Sequence, residues 1–313
     1  MTNQLPLNAQ QIRKSQKDLT IPKFHRRIMV VDTETSGLMP KHKPGTPFPP
    51  IEAFPHIMQF SWILYNVLTN EFEEMVNEYV RIPRAVVISP KSIDVHKITR
   101  EITEEKGKPI VPLLVRFFES YMKCDCIVGH NLHFDGEMIR KEMWRNRKEL
   151  NAKIKIPDRV NMMCGVFTKR FNAAYHIDMF CTMMNTIEFC GIEFDKKPVA
   201  TPVVTDGFDA DETKKPGVSF DVDSTLITLP ESNINQAQLE KEKDMISTTN
   251  ENTRKKFPRL NELYSKLFDD VLPTDLHNSI IDVLVCLRCF LKVRAVKEMS
   301  ETDFYSLIEK YSR

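Results

Sequence analysis

Apolar residues run along the chain in two periods. Ile28-Met29-Val30-Val31 is a short, largely β-branched run that stops at Asp32, the pattern of a buried strand. Ile57 to Tyr65 (IMQFSWILY) and Glu71 to Val80 predict two more strands, forming a hairpin or meander with the first. Between the first strand and these two, Met39 to Pro55 is rich in proline, which fixes φ and removes a backbone donor, so this stretch is a loop. Pro112 to Met122 has helical periodicity, and Cys126 to Val128 is a short strand running into Gly129-His130-Asn131. Phe134 to Trp144 predicts a helix with Met138, Ile139 and Met143 on one side and Arg140, Lys141 and Arg145 on the other. Leu260 to Phe268 and Ile280 to Val293 predict two further helices, and Glu301 to Tyr311 a last short one. Strands first, then strand and helix in alternation, predict a mixed α/β sheet with helices packed on it.

The same patterning divides the chain. Residues 1–26 are polar and basic, with Arg13, Lys14, Lys17, Lys23 and Arg26 against Asp18, and read either as a solvated tail or as a nucleic-acid or partner contact. Residues 27–194 and 257–299 hold the ordered patterns. Residues 195–256 have few large apolar positions and no sustained period, and predict an irregular insertion: a disordered loop, a substrate flap or a partner site. Residues 300–313 carry the last helix.

Composition narrows the class. Across 313 residues, 42% hydrophobic and 28% charged describe a soluble globular protein with a sizeable core. Lys+Arg 44 against Asp+Glu 43 gives +1, so any nucleic-acid affinity must come from local patches or metal ions rather than a global basic field. The 7 cysteines have no repeated paired spacing, which argues against a disulfide framework and for a reducing, intracellular compartment, cytoplasm or nucleus unresolved. Cys286 and Cys289 fall in an apolar helical pattern and read as packing ahead of zinc. The first residues lack a signal-peptide core, and no apolar run approaches the roughly 18–20 residues of a membrane span.

The chemistry begins at the end of the first strand. Asp32 and Glu34 are two residues apart, so on a strand their carboxylates share a face and repel unless a cation neutralises them. Hard oxygen ligands of this kind suit Mg²⁺ or Mn²⁺. Asp135 opens a helix and reads as a cap or as a third carboxylate. Asp282 sits inside an apolar helix, where an unpaired carboxylate is costly and a metal would partner it. His277 precedes that helix, in a loop from which a neutral imidazole can take a proton near pH 7; a lone loop histidine is otherwise a surface residue.

Taken together, Val31-Asp32-Thr33-Glu34-Thr35-Ser36-Gly37-Leu38, Val128-Gly129-His130-Asn131-Leu132-His133-Phe134-Asp135 and Leu276-His277-Asn278-Ser279-Ile280-Ile281-Asp282 resemble the three motifs of the DEDDh exonuclease superfamily, which includes the epsilon proofreading subunit of bacterial replicative polymerase. Phe54 to Trp62 resembles the family's second strand, and Val95-His96-Lys97-Ile98-Thr99 its HGIT loop, with Lys97 where glycine is usual. The sister subgroup carries tyrosine four residues before the last aspartate; here that residue is Asn278, which indicates the histidine version.

The resemblance implies a ribonuclease-H-like fold with a mixed five-stranded sheet. It implies two Mg²⁺ ions, with Mn²⁺ as a substitute, held by Asp32, Glu34, Asp135 and Asp282, and His277 as general base. The expected activity is 3′→5′ exonucleolysis at DNA 3′ ends, releasing nucleoside 5′-monophosphates in proofreading, repair or degradation. A DNA polymerase or repair protein is then a partner. Thr35, Leu38 and Phe134 are the expected contacts to the terminal nucleotide, with His96 and Asn131 as further candidates. An exoribonuclease trimming RNA 3′ ends and a non-catalytic polymerase-associated module are the rival readings.

Overall fold

Ile28 and Val30 face one side of the first strand, while Met29 and Val31 face the other. That alternation sets the architecture, because each set has its own core. The structure, a computed structural model, describes residues 25–42, 45–193, 255–270, 272, 276–296 and 298–312. The basic stretch up to residue 24 and the bulk of the 195–256 segment lie outside the described residues, so the expectations placed on them are not taken further.

One sheet carries the strands β1 (Arg27–Thr35), β2 (Ile57–Asn66), β3 (Glu71–Tyr79), β4 (Cys126–Gly129) and β5 (Asp178–Cys181), in the spatial order β3-β2-β1-β4-β5. β1 pairs antiparallel with β2, β2 antiparallel with β3, and β4 parallel with both β1 and β5. This is the ribonuclease-H-like arrangement expected. β2 lies inside the sheet and every one of its residues is buried, whereas the edge strand β3 shows mostly half-exposed positions. β5 has no strong apolar pattern and was not anticipated along with the other strands.

The helices are α1 (Pro90–His96), α2 (Arg100–Glu105), α3 (Ile110–Tyr121), α4 (Leu132–Arg145), α5 (Arg147–Ile154), α6 (Pro157–Gly165), α7 (Lys169–Tyr175), α8 (Thr182–Asn185), α9 (Ile187–Cys190), α10 (Leu260–Phe268), α11 (Ser279–Val293) and α12 (Glu301–Ser312). α3 and α4 cover the face of Met29 and Val31, where Trp62 and Phe117 pack edge to face at 5.5 Å. α10, α11 and α12 cover the face of Ile28 and Val30. α11 is buried from Ser279 to Leu291 because the sheet lies on one side of it and α10 and α12 on the others. Cys286 and Cys289 are two of those buried positions, and all seven cysteines are free thiols.

Arg288 is a buried cation in that apolar helix. Its guanidinium lies 4.3 Å from the Phe268 ring centroid and 4.4 Å from that of Phe304, and donates to Tyr264 Oη at 2.6 Å. Stacking and a hydrogen bond stand in for water here, and they tie α12 to α11.

Among its described residues, the Pro-rich stretch after Leu38 is a loop, as its composition dictates, broken by one short 3₁₀ turn at Ile51–Ala53. Arg145 at the end of α4 pins that turn, donating to Ile51 O at 3.0 Å and Phe54 O at 2.9 Å. Lys97, standing where the resemblance expects glycine, adopts φ 60° at the C-cap of α1. That left-handed conformation is free for glycine and costs a lysine strain.

Candidate active site

Asp32 and Glu34 share strand parity with Ile28 and Val30, so they leave the end of β1 on the side covered by α11, which carries Asp282. Thr33 has the opposite parity and reaches α4. Its backbone N–H donates to Asp135 Oδ1 at 3.0 Å and its hydroxyl to the same atom at 2.8 Å. Asp135 therefore caps no helix: Asn131 holds the N-cap position with φ 68°, and Asp135 points at the strand. The four carboxylates are brought together from one strand and two helices.

Their electrostatics reflect that crowding. Burial pushes Asp32 well up, with the charges of Asp135, Asp282 and Glu34 adding to it. Burial, then Asp282 and Asp135, push Glu34 up to about 9. Burial raises Asp135 to about 7 against the opposing Thr33 bonds, and it raises Asp282 to about 7 with Asp135 adding repulsion. Such a set holds protons, or else a cation takes their place.

His277 has φ 78°, a strained conformation for a side-chain-bearing residue, and its ring is exposed. Its backbone N–H donates to Asp282 Oδ2 at 3.0 Å, so the carboxylate itself helps hold the turn. One donor atom each of Glu34, His277 and Asp282 lies within 4.8 Å of the others, close enough to hold a metal ion. Asp282 Oδ1 is buried and has no hydrogen-bond partner among the described residues. An orphaned carboxylate oxygen amid other carboxylates fits a hard divalent cation.

The start of α11 is fixed by a polar network that sequence reading missed. Gln59 Nε2 donates to Asn278 Oδ1 and to Asn77 Oδ1, both at 2.9 Å. Ser61 Oγ meets Ser279 Oγ at 2.6 Å, and Asn278 Nδ2 donates to Tyr311 O at 3.2 Å. The residue after His277 is thus tied directly to β2 and to the last helix.

The expected nucleotide contacts fall into two groups. Leu38 is 78% exposed beside the carboxylate strand, Phe134 is half-buried on α4, and Asn131 is exposed at the mouth of that helix. Thr35 and His96 are instead buried. Thr35 Oγ1 donates to Gly37 O at 2.7 Å, and His96 Nε2 donates to Thr35 O at 3.1 Å while its Nδ1 accepts from Ile98 N at 3.0 Å. Both ring nitrogens of His96 are used, burial holds its pKa below the usual histidine range, and its place is beneath the Thr35 turn. His130 is likewise internal, between Thr182 Oγ1 at 2.9 Å and Pro258 O at 3.0 Å, with burial lowering it to about 4.

The RNase_T family, described as exonuclease, matches residues 29–191, just over half of the chain. The chain belongs to the RNase_T exonuclease family. The matched stretch holds Asp32, Glu34 and Asp135, and the expected kinship with DEDD exonucleases is borne out. E. coli exonuclease I in complex with a dA16 oligonucleotide superposes at TM-score 0.47 and 14% identity, covering 91% of this chain and 43% of its own. Product-bound exonuclease I gives 0.49 and 15%, covering 92% and 47%. A 3′-exonuclease solved for its recognition of the histone mRNA stem-loop gives 0.25 and 19%, covering 34% and 47%. This exonuclease-family chain spans under half the length of those structures. No curated protein matches its sequence.

Proposed function

We propose that this protein is a metal-dependent 3′→5′ exonuclease of the DEDDh type that releases nucleoside 5′-monophosphates from DNA 3′ ends, in proofreading, repair or degradation. The observation that carries the reading is the meeting of four carboxylates around a buried, unpartnered Asp282 Oδ1, with His277 at their rim. Asp32, Glu34, Asp135 and Asp282 would hold two divalent cations, Mg²⁺ or in its place Mn²⁺. Bound there, the cations supply Lewis-acid charge that lowers the pKa of a water and neutralises the leaving 3′-oxygen.

The chain's own residues do the rest. Thr33 keeps one Asp135 oxygen occupied and so turns the other toward the carboxylate cluster. His277, exposed at the rim of the cluster, takes the proton of the attacking water at its ring nitrogen. Leu38 and Phe134 offer apolar surface to the terminal base, which tolerates any sequence. Thr35 and His96 shape that pocket from below. In a proofreading role the partner would be a DNA polymerase.

Release of mononucleotides from labelled single-stranded DNA, with and without Mg²⁺, tests the chemistry. Wild type is expected to need the metal, and Asp32→Ala to lose the activity; equal rates for the two proteins would overturn the proposal. The same assay with RNA tests the sugar preference, and faster RNA turnover would replace DNA with RNA as the substrate.

A further inference from the structure

Among the described residues, Phe48 is the most exposed of the large aromatics. Phe48 is 63% exposed, an unusual place for a ring that burial would otherwise favour. It stacks on Phe54 at 6.0 Å and 23°, and Phe54 belongs to the core on the α3–α4 side of the sheet. The Lys141 ammonium lies 4.9 Å from the Phe48 centroid and 4.3 Å from that of Phe54. Lys141 also lies 3.8 Å from Glu137 on its own helix. The base of this stack is held firmly, since Arg145 clamps the carbonyls of Ile51 and Phe54. Phe48 is therefore an exposed ring on a fixed footing, with the Lys141 cation over it and the His42 ring tilted against it at 5.4 Å, leaving the rest of the ring to solvent.

Its position relative to the cluster follows from the helix. Lys141 is seven residues after Phe134 on α4, which is two turns and the same face, about 10 Å along the axis. The loop itself is continuous with the site: His56 N donates to Ser36 Oγ at 3.0 Å, and Ser36 N to His56 O at 2.9 Å, two residues from Leu38. About 10 Å corresponds to roughly three nucleotides at a stacked rise of 3.4 Å.

We propose that Phe48, with Lys141, forms a stacking platform for a base of the single strand about three nucleotides upstream of its 3′ end. The base lies on the ring face, and the Lys141 ammonium neutralises a neighbouring phosphate. This rests on the exonuclease reading above and adds a second subsite to it. It also answers the chain's near-zero net charge: affinity comes from a local aromatic and basic pair.

The test compares two substrates that differ only in reaching the platform, a thymidylate 12-mer and the p-nitrophenyl ester of thymidine 5′-monophosphate. Stacking on a base is worth about 1–3 kcal/mol, and an exposed ring belongs at the low end. Phe48→Ala is expected to lower the ratio of kcat/KM for the 12-mer to that for the ester about five- to tenfold, and Phe48→Trp to restore it. Binding of a fluorescent 12-mer in Ca²⁺, by anisotropy, should weaken by a similar factor in Phe48→Ala. An unchanged ratio with unchanged binding overturns the platform, as does an equal loss on both substrates, which would make the ring a structural prop. A wild type that binds the 12-mer through Phe48 yet cleaves neither substrate sinks the exonuclease reading and leaves the platform standing.

Discussion

Raising the pH of the metal-free protein from 6 to 9 is expected to lower its melting temperature, and Mg²⁺ is expected to give it back. The cause is the carboxylate cluster. Glu34 is pushed up to about 9, and Asp135 and Asp282 to about 7, with Asp32 moved the same way. Each group holds its proton more tightly in the folded chain than in the unfolded one, so its ionisation favours unfolding. The stability they contribute is complete below the ordinary carboxylate pKa, near 4. It is lost as pH rises through about 7 for the two aspartates and about 9 for Glu34. A cation bound among the carboxylates removes the penalty and displaces the remaining protons. At pH 7 Glu34 still carries its proton and Asp135 and Asp282 are near half-protonated, so binding should release about two protons from these three groups, with Asp32 adding to the count.

Metal at about a hundred times its Kd adds about 2.7 kcal/mol, which raises the melting temperature by about 4–5 °C in a chain of this size. Thermal melts at pH 6, 7, 8 and 9, with and without Mg²⁺, read the first effect. Calorimetric titration in two buffers of different ionisation enthalpy counts the protons. Asp282→Asn serves as the control: one repelling charge is gone, so the metal-free form should lose less stability with pH while the Mg²⁺ effect shrinks. A metal-induced shift that ignores pH, with no proton release, would refute the reasoning, since the cluster would then be ionised and relaxed without its cation.

Three other outcomes follow from single contacts. Thr33→Val removes the 2.8 Å hydroxyl bond to Asp135 but leaves the backbone one; a hydrogen bond to a charged group is worth about 1.5–3 kcal/mol, so the Mg²⁺ concentration for half-maximal activity should rise about ten- to a hundredfold. His277→Ala should slow turnover about 10²–10⁴-fold while calorimetric metal binding survives; lost binding would make His277 a ligand, which its approach to Glu34 and Asp282 allows. Gly107→Ala would place a Cβ 2.1 Å from Thr103 O and 2.6 Å from Arg81 N, and urea unfolding should show a loss of about 1–3 kcal/mol, with no change taken as disproof of the close approach.

Much of the fold was legible because hydrophobic periodicity is strongest where both faces of an element are buried. β2 and α11 are such elements, and both stand where the pattern put them, to within a residue or so. β5 escaped because Asp178–Cys181 is four residues long and mostly half-exposed, too short to show a period. The carboxylates were legible as a set because motif order along the chain survives folding. Their supports were not. Thr33 reaches Asp135 across 102 positions, and Gln59 reaches Asn278 across 219, and no local spacing encodes such a meeting. His96 was read as a nucleotide contact from its motif alone, and only the packing shows both its nitrogens spent beneath Thr35.

The bond from Asn278 to the Tyr311 carbonyl has a consequence for how the protein ages and heats. Helix ends fray before cores melt, and Tyr311 lies in the final turn of α12, well past the ring clamp that Arg288 makes with Phe304. When that turn opens, the strained backbone at His277 loses one of its tethers while the sheet stays whole. Heat inactivation and heat denaturation should then part company. Turnover would fade on warming at temperatures where circular dichroism still reports an intact protein, and it would return on cooling.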